Sequence, residues 1–360
     1  MNRRNVLSAA AVAAAALGLP GMAQASTTVP KWAVLNASGT IVRMAGATGS
    51  SHLSTGTYQV VFKSDVSQCA YVATVGDPGA GAVSQPGIAT VATRAGNNSA
   101  LFIQTFDQSS GALADLPFQV VTYCGSNAKF AVVASDGTKA RGKHAPSTTH
   151  LGPGSYEVLF DSNVSQCAFN ASIGTTGAGS IPSPGQVTVA GRAGNLKGVF
   201  VRIVDRLGNE IDSSFHLGVS CGATNLAAVV ESSGSLARGT DVVSVAKLSG
   251  ANGGTYEVIF DTTVAGCGYA ATVGTSTNGG SISTPVTITT ATRAGNPNGV
   301  FLFIHQTNGS TIDEPFHLYV FCPGATNAPT AAPARPGVPQ PGAVSKPGPT
   351  MPSQQTTLNG

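Results

Sequence analysis

The residues of this chain able to do chemistry are six cysteines, six histidines, and arginines and aspartates that recur at fixed offsets. Nucleophilic catalysis needs a Ser or Cys beside a base, with a third group orienting that base. There is no Gly-x-Ser-x-Gly elbow. The cysteines fall as Cys69 and Cys124, Cys167 and Cys221, Cys267 and Cys322, separated by 55, 54 and 55 residues. Such constant spacing reads as one disulfide per repeat, each worth about 4 kcal/mol in the chain-entropy model. Zinc is the rival use, but no Cys-x-x-Cys pair or regular histidine partner accompanies them.

The histidines are irregular. His216 and His317 match each other where the first copy has Gln119, a departure that argues against a shared histidine site. His305 stands alone in an apolar run, while His52, His144 and His150 lie in a variable segment. The strictly recurring polar residues are Arg43, Arg141 and Arg238; Arg94, Arg192 and Arg293; and Asp115, Asp212 and Asp313. As ligand contacts they would form an arginine clamp for a carboxylate or sugar acid, repeated three times. As structural residues they would make Arg–Asp pairs or arginine–carbonyl bonds fixing turns, which suits the turn glycines beside them. Glu157 and Glu257 are not paired catalytic acids, since the first copy has Gln59 there. Calcium would want an Asp-rich run that the loops lack. The expectation is no catalytic residue, no cofactor and no metal.

The elements that carry these residues repeat with a period of about 97 to 100 residues, a domain-sized unit. Tyr58, Val60 and Phe62 alternate with Gln59, Val61 and Lys63, the period of a half-buried strand. The cassette returns at Tyr156, Val158, Phe160 and at Tyr256, Val258, Phe260. A second strand leaves each first cysteine, and a later one ends in Arg-Ala-Gly-Asn, at Arg94–Asn97, Arg192–Asn195 and Arg293–Asn296. Six or seven short strands per unit, without helical periodicity, predict an all-β chain of three tandem β-sandwich domains, immunoglobulin-like or jelly-roll-like. An immunoglobulin core tryptophan is missing, for Trp32 lies outside the cysteine loop.

The ends read differently. Arg3 and Arg4, an apolar run from Val6 to Leu19, and Ala23-Gln24-Ala25 make residues 1–25 a signal peptide, with the Sec and twin-arginine routes both open. Repeats are expected over 26–128, 129–225 and 226–327. Residues 328–360 hold eight of the 21 prolines and no acid, the composition of a disordered Pro/Ala/Gly-rich tail. Without the signal, 17 basic residues face 16 acidic ones, which lacks the footprint of a nucleic-acid binder. No transmembrane segment is expected after signal removal. An exported chain that is secreted, periplasmic or surface-associated follows, in a compartment that permits disulfides.

The full pattern is Gly-x-Tyr-x-Val-x-Phe up to a Cys, then Arg-Ala-Gly-Asn, then Asp-x-x-Phe up to the second Cys. It resembles an uncharacterised family of secreted bacterial disulfide-stapled β-repeat domains. The resemblance spans all three repeats and implies no particular activity. The expected function is a non-catalytic structural or adhesive protein that presents loops to an extracellular protein or glycan. The alternative is a carbohydrate-binding protein or hydrolase with its site in the variable loops, such as Asp77–Gln85 or Gly174–Ser183.

Overall fold

The computed structural model describes residues 30–80, 85–179, 182–222, 226–248, 253–280, 282 and 284–323. The expected signal peptide and Pro-rich tail lie outside the described residues. Repeat 1 forms β1 (Lys31–Leu35), β2 (Ile41–Ala45), β3 (Ala47–Ser54), β4 (Thr57–Phe62), β5 (Ala70–Ala80), β6 (Gly87–Arg94), β7 (Asn97–Asp107) and β8 (Phe118–Tyr123). Repeat 2 forms β9 (Lys129–Val133), β10 (Lys139–Lys143), β11 (Ser147–Gly152), β12 (Ser155–Leu159), β13 (Ala168–Ala178), β14 (Gly185–Arg192), β15 (Asn195–Asp205) and β16 (Phe215–Ser220). Repeat 3 forms β17 (Leu226–Val230), β18 (Leu236–Thr240), β19 (Val242–Lys247), β20 (Thr255–Phe260), β21 (Gly268–Asn278), β22 (Val286–Thr292), β23 (Gly299–Gln306) and β24 (Phe316–Phe321). Eight strands per repeat exceed the six or seven expected, because the run carrying Arg43 and the variable segment after it form the edge strands β2 and β3. No helix among the described residues is long and apolar enough to cross a membrane.

Each repeat is a sandwich of two antiparallel layers, β2-β1-β8-β5 and β3-β4-β7-β6 in the first copy. The cassette residues Tyr58, Val60 and Phe62 bury against Tyr71, Phe118 and Val120 of the opposite layer. The same arrangement holds around Tyr156 and Tyr256. Disulfides join Cys69 to Cys124, Cys167 to Cys221 and Cys267 to Cys322. In the first copy Ala70 and Tyr123, the residues next to the two cysteines, are register partners on β5 and β8. The staple therefore ties neighbouring strands of one layer, whereas the immunoglobulin disulfide bridges two sheets.

The sandwiches are not separate modules. Each layer continues into the next repeat through a parallel seam, making three eight-stranded sheets. β6 pairs with β13, β14 with β21, and β22 with β5. Because the third seam returns to repeat 1, the three sandwiches close a ring about a quasi-threefold axis. The central strands β5, β13 and β21 consequently bury both faces, one in their own sandwich and one on the axis. An axial core of Trp32, Val72, Tyr123, Phe130, Val229 and Phe321, among others, fills the middle.

The seams demand a close backbone approach. A Cβ on Gly76, Gly174 or Gly274 would lie 2.5, 2.4 or 2.3 Å from the carbonyl oxygen of Thr290, Val91 or Val189. Only glycine lets a strand come that near its parallel neighbour.

Candidate functional site

One set of recurring arginines, Arg43, Arg141 and Arg238, converges on the seams. Arg141 Nε donates to Cys69 O at 2.9 Å, Arg238 Nε to Cys167 O at 3.1 Å, and Arg43 Nε to Cys267 O at 3.1 Å. Each arginine thus reaches the preceding repeat around the ring. Nη1 of each donates to a carbonyl in its own repeat, at Thr176, Ser276 and Pro78. Arg141 also sits over the Tyr71 ring, 5.5 Å from its centre, and Arg238 lies over Phe169 at 5.9 Å. Burial is the main reason all three guanidinium groups are shifted down from their ordinary range. These are the arginine–carbonyl bonds of the structural reading, used across repeats instead of within a turn.

A second ring lies beside the first. The Tyr71 amide donates to His216 Nδ1 at 3.0 Å, and the Phe169 amide to His317 Nδ1 at 2.9 Å. The Tyr269 amide donates to Gln119 Oε1 at 2.5 Å. The departure at Gln119, expected to separate the first copy from a shared site, instead preserves one acceptor in all three seams. Both histidines are fully buried, and burial first, then a neighbouring arginine, pushes each down to about 3. They are neutral acceptors. Their Nε2 atoms donate to Thr175 O at 2.8 Å and Thr275 O at 3.0 Å.

A third ring uses hydroxyls. The Ala73 amide donates to Ser172 Oγ, the Ala171 amide to Thr272 Oγ1 and the Ala271 amide to Thr74 Oγ1, all at 2.9 to 3.0 Å.

The aspartates do not meet the arginines, so the expected Arg–Asp pairs are absent among the described residues. Asp115 Oδ1 instead accepts from the Gly56 amide at 2.6 Å and lies 2.8 Å from His52 Nε2. It also accepts from Tyr58 Oη at 3.3 Å. Asp212 repeats this with Gly154, His150 and Tyr156, and Asp313 with Gly254, Lys247 and Tyr256. The Gly56 and Gly154 amides are the leading reason that Asp115 and Asp212 lie below the carboxylate range. Burial opposes ionisation of Asp313, and the Lys247 ammonium, the Gly254 amide and the Tyr256 hydroxyl together overcome it and hold the carboxyl below its ordinary range. Burial, then the aspartate charge, pushes Tyr58 and Tyr156 up to about 12. These clusters lock the turn before the cassette to the hairpin that follows β7 and its counterparts.

Arg94, Arg192 and Arg293 bond Gln59 at 3.0 Å, Glu157 at 3.2 Å and Glu257 respectively. They brace the Arg-Ala-Gly-Asn turns against the cassette strand, with Arg94 over Phe102 and Arg293 over Phe301. The glutamates are thus arginine partners. The other histidines are dispersed: His144 lies between Asp161 and Ser126 O, and His305 is buried against Phe303.

The loops proposed for binding are partly strand. Asp77–Ala80 belong to β5 and Gly174–Ala178 to β13, while residues 81–84 and 180–181 lie outside the described residues. Gln85 bonds Asp107 at 2.7 Å. A cavity of about 110 Å³ borders Tyr123, Ser220 and Phe321 at one end of the axial core, and another of about 60 Å³ borders Thr74, Ser172 and Thr272. Neither assembles an acid–base pair. No group of three or more His, Cys, Asp or Glu side chains suited to a metal exists among the described residues. No family model, curated protein or solved structure matches the chain.

Proposed function

We propose that this chain is a non-catalytic structural or adhesive protein of the exported compartment, presenting loops from a rigid ring to an extracellular protein or glycan. One observation carries this reading. The recurring arginines, aspartates and the His/Gln set are all engaged in closing or bracing the fold, so they are not left to receive a substrate. The tips of the hairpin after β7 and its counterparts differ between copies and are exposed, at Ser109 and Ser110, at Leu207, Asn209 and Glu210, and at Asn308 to Ser310, with Leu207 68% exposed. Behind them Gln108 is buried and donates to His305 O at 3.2 Å, and Arg206 Nη1 donates to Ser109 O at 2.7 Å. Loops on a rigid scaffold are where binding residues gather.

The leader-like N-terminus, three disulfides and neutral Ser/Thr-rich surface support export, and the motif set supports a place among secreted bacterial β-repeat proteins. The test is an array of glycans and extracellular proteins probed with the mature full chain, alongside variants of the three hairpins. Binding lost on changing a hairpin, without hydrolytic turnover, is the expected result. Turnover of a glycan or peptide substrate would replace this reading with the hydrolase alternative.

A further inference from the structure

The three seams are built to one plan but with two chemistries. Seams 1–2 and 2–3 place an imidazole acceptor opposite a valine: His216 belongs with Val91, and His317 with Val189. Seam 3–1 has a carboxamide, Gln119, and a threonine, Thr290, where the others have valine. The two exchanges compensate each other. Gln119 Nε2 donates to Thr290 Oγ1 at 2.9 Å, finding the partner that His216 and His317 find in a backbone carbonyl.

The seams also differ in tethering. Repeats 1 and 2 are linked through residues 124–128, and repeats 2 and 3 through 221–225. Repeats 1 and 3 are separated in sequence by the whole of repeat 2. A tethered interface recloses at high effective concentration, and one without a short linker loses much of that advantage.

Protonation discriminates between the two chemistries. A neutral imidazole has one acceptor nitrogen, and at His216 and His317 it faces a backbone N–H; an imidazolium has none. A carboxamide keeps its acceptor oxygen throughout the acid range. Arg141 and the Tyr71 ring face His216; Arg238 and the Phe169 ring face His317, with Glu231 beyond Arg238. Gln119 faces a seam bearing Arg43, Tyr269 and Asp77. The arginines oppose a second positive charge at both histidines.

We infer that the Gln119–Thr290 pair is an acid-stable latch on the one seam that no short linker tethers, so that acid loosens the tethered seams first while the untethered seam holds. The Tyr71, Phe169 and Tyr269 amides report the three seams separately. Hydrogen exchange of the intact disulfide-bonded chain, corrected for intrinsic rates, is followed between pH 6.5 and 4.5. Opening at Tyr71 and Phe169 is expected to rise by about 50-fold, as each freed imidazole passes from half to full protonation, and at Tyr269 by less than about threefold. A Tyr269 amide that responds like the other two overturns the latch. Gln119→His with Thr290→Val should transfer the acid response to Tyr269 while leaving pH 7 exchange unchanged. If that variant folds and Tyr269 remains indifferent to pH, the inference also fails.

Discussion

His216 Nδ1 accepts the Tyr71 amide across the boundary between repeats 1 and 2, in a site closed to solvent. A histidine held neutral in the fold and free to protonate when unfolded makes global stability depend on pH. With the folded value near 3 and the unfolded value near the ordinary 6.5, the unfolded chain binds more protons between them. Stability therefore falls as pH drops through 6.5 towards 3. At pH 5 each of His216 and His317 should cost about 2 kcal/mol relative to pH 8. Burial lowers His305 as well, adding to the same trend. Urea midpoints measured from pH 8 to 4 should show this decline, and His216→Gln with His317→Gln should remove more than half of it. An unchanged pH slope in the double variant would contradict the assignment.

Asp115 holds the Gly56 amide and the Tyr58 hydroxyl, and Tyr58 in turn donates to Ala37 O at 2.9 Å. Removing the carboxylate strands a backbone donor beside a buried ring. Asp115→Ala should destabilise by about 1–2 kcal/mol, as should Asp212→Ala and Asp313→Ala at the matching positions. Equal losses in chemical denaturation at all three sites are the expected outcome. If the aspartates served a ligand instead, the substitutions would lower binding and leave the denaturation midpoint in place.

The Tyr58–Val60–Phe62 cassette was legible because its alternation is the pattern of a strand with one wet face. The ring was not. On β5, Tyr71, Ala73 and Val75 alternate with Ala70, Val72 and Thr74, and small or β-branched residues fit either a solvated face or a tightly packed one. The axial face was therefore hidden by its own small side chains. Its traces were present as Thr74, Ser172 and Thr272, and as Gly76, Gly174 and Gly274, recurring polar and glycine positions in the middle of a strand. The Gln119–Thr290 exchange was unreadable for another reason: its partners lie 171 residues apart and meet only once the third seam closes. Arg–Asp pairs do not form because the aspartates meet a turn amide and a tyrosine within their own repeat, while Arg43, Arg141 and Arg238 meet carbonyls in the neighbouring one and Arg94, Arg192 and Arg293 meet Gln59, Glu157 and Glu257.

Arg141 binds two carbonyls from two repeats with one planar group, Cys69 O through Nε and Thr176 O through Nη1. A lysine carries the same charge but cannot span both with a fixed fork. Arg141→Lys should cost about 1–3 kcal/mol, with Arg43→Lys and Arg238→Lys close behind. Limited proteolysis should then cut first at the seam whose arginine was changed. A uniform loss of resistance along the chain would argue that the arginines stabilise their own sandwiches and not the seams.

Gly218 makes room for Tyr123 on the axis: a Cβ there would lie 2.2 to 2.5 Å from the Tyr123 ring. The contact crosses from repeat 2 to repeat 1, and the matching positions carry Val121 and Tyr319, so the axial core is complementary and not threefold. Gly218→Ala should destabilise by about 1–3 kcal/mol, because the ring is hemmed in by Tyr319 and Phe321, each centred 6.2 Å away. Tyr123→Ala alone should also destabilise, by opening a cavity in a packed core. Since the alanine methyl of the first variant fits only when the ring of the second is gone, the double variant should be more stable than the sum of the single losses predicts. A double-mutant cycle by chemical denaturation should give a favourable coupling of at least about 1 kcal/mol. Strict additivity would mean that Tyr123 turns away from Gly218 in solution and that the axial core is not packed as described.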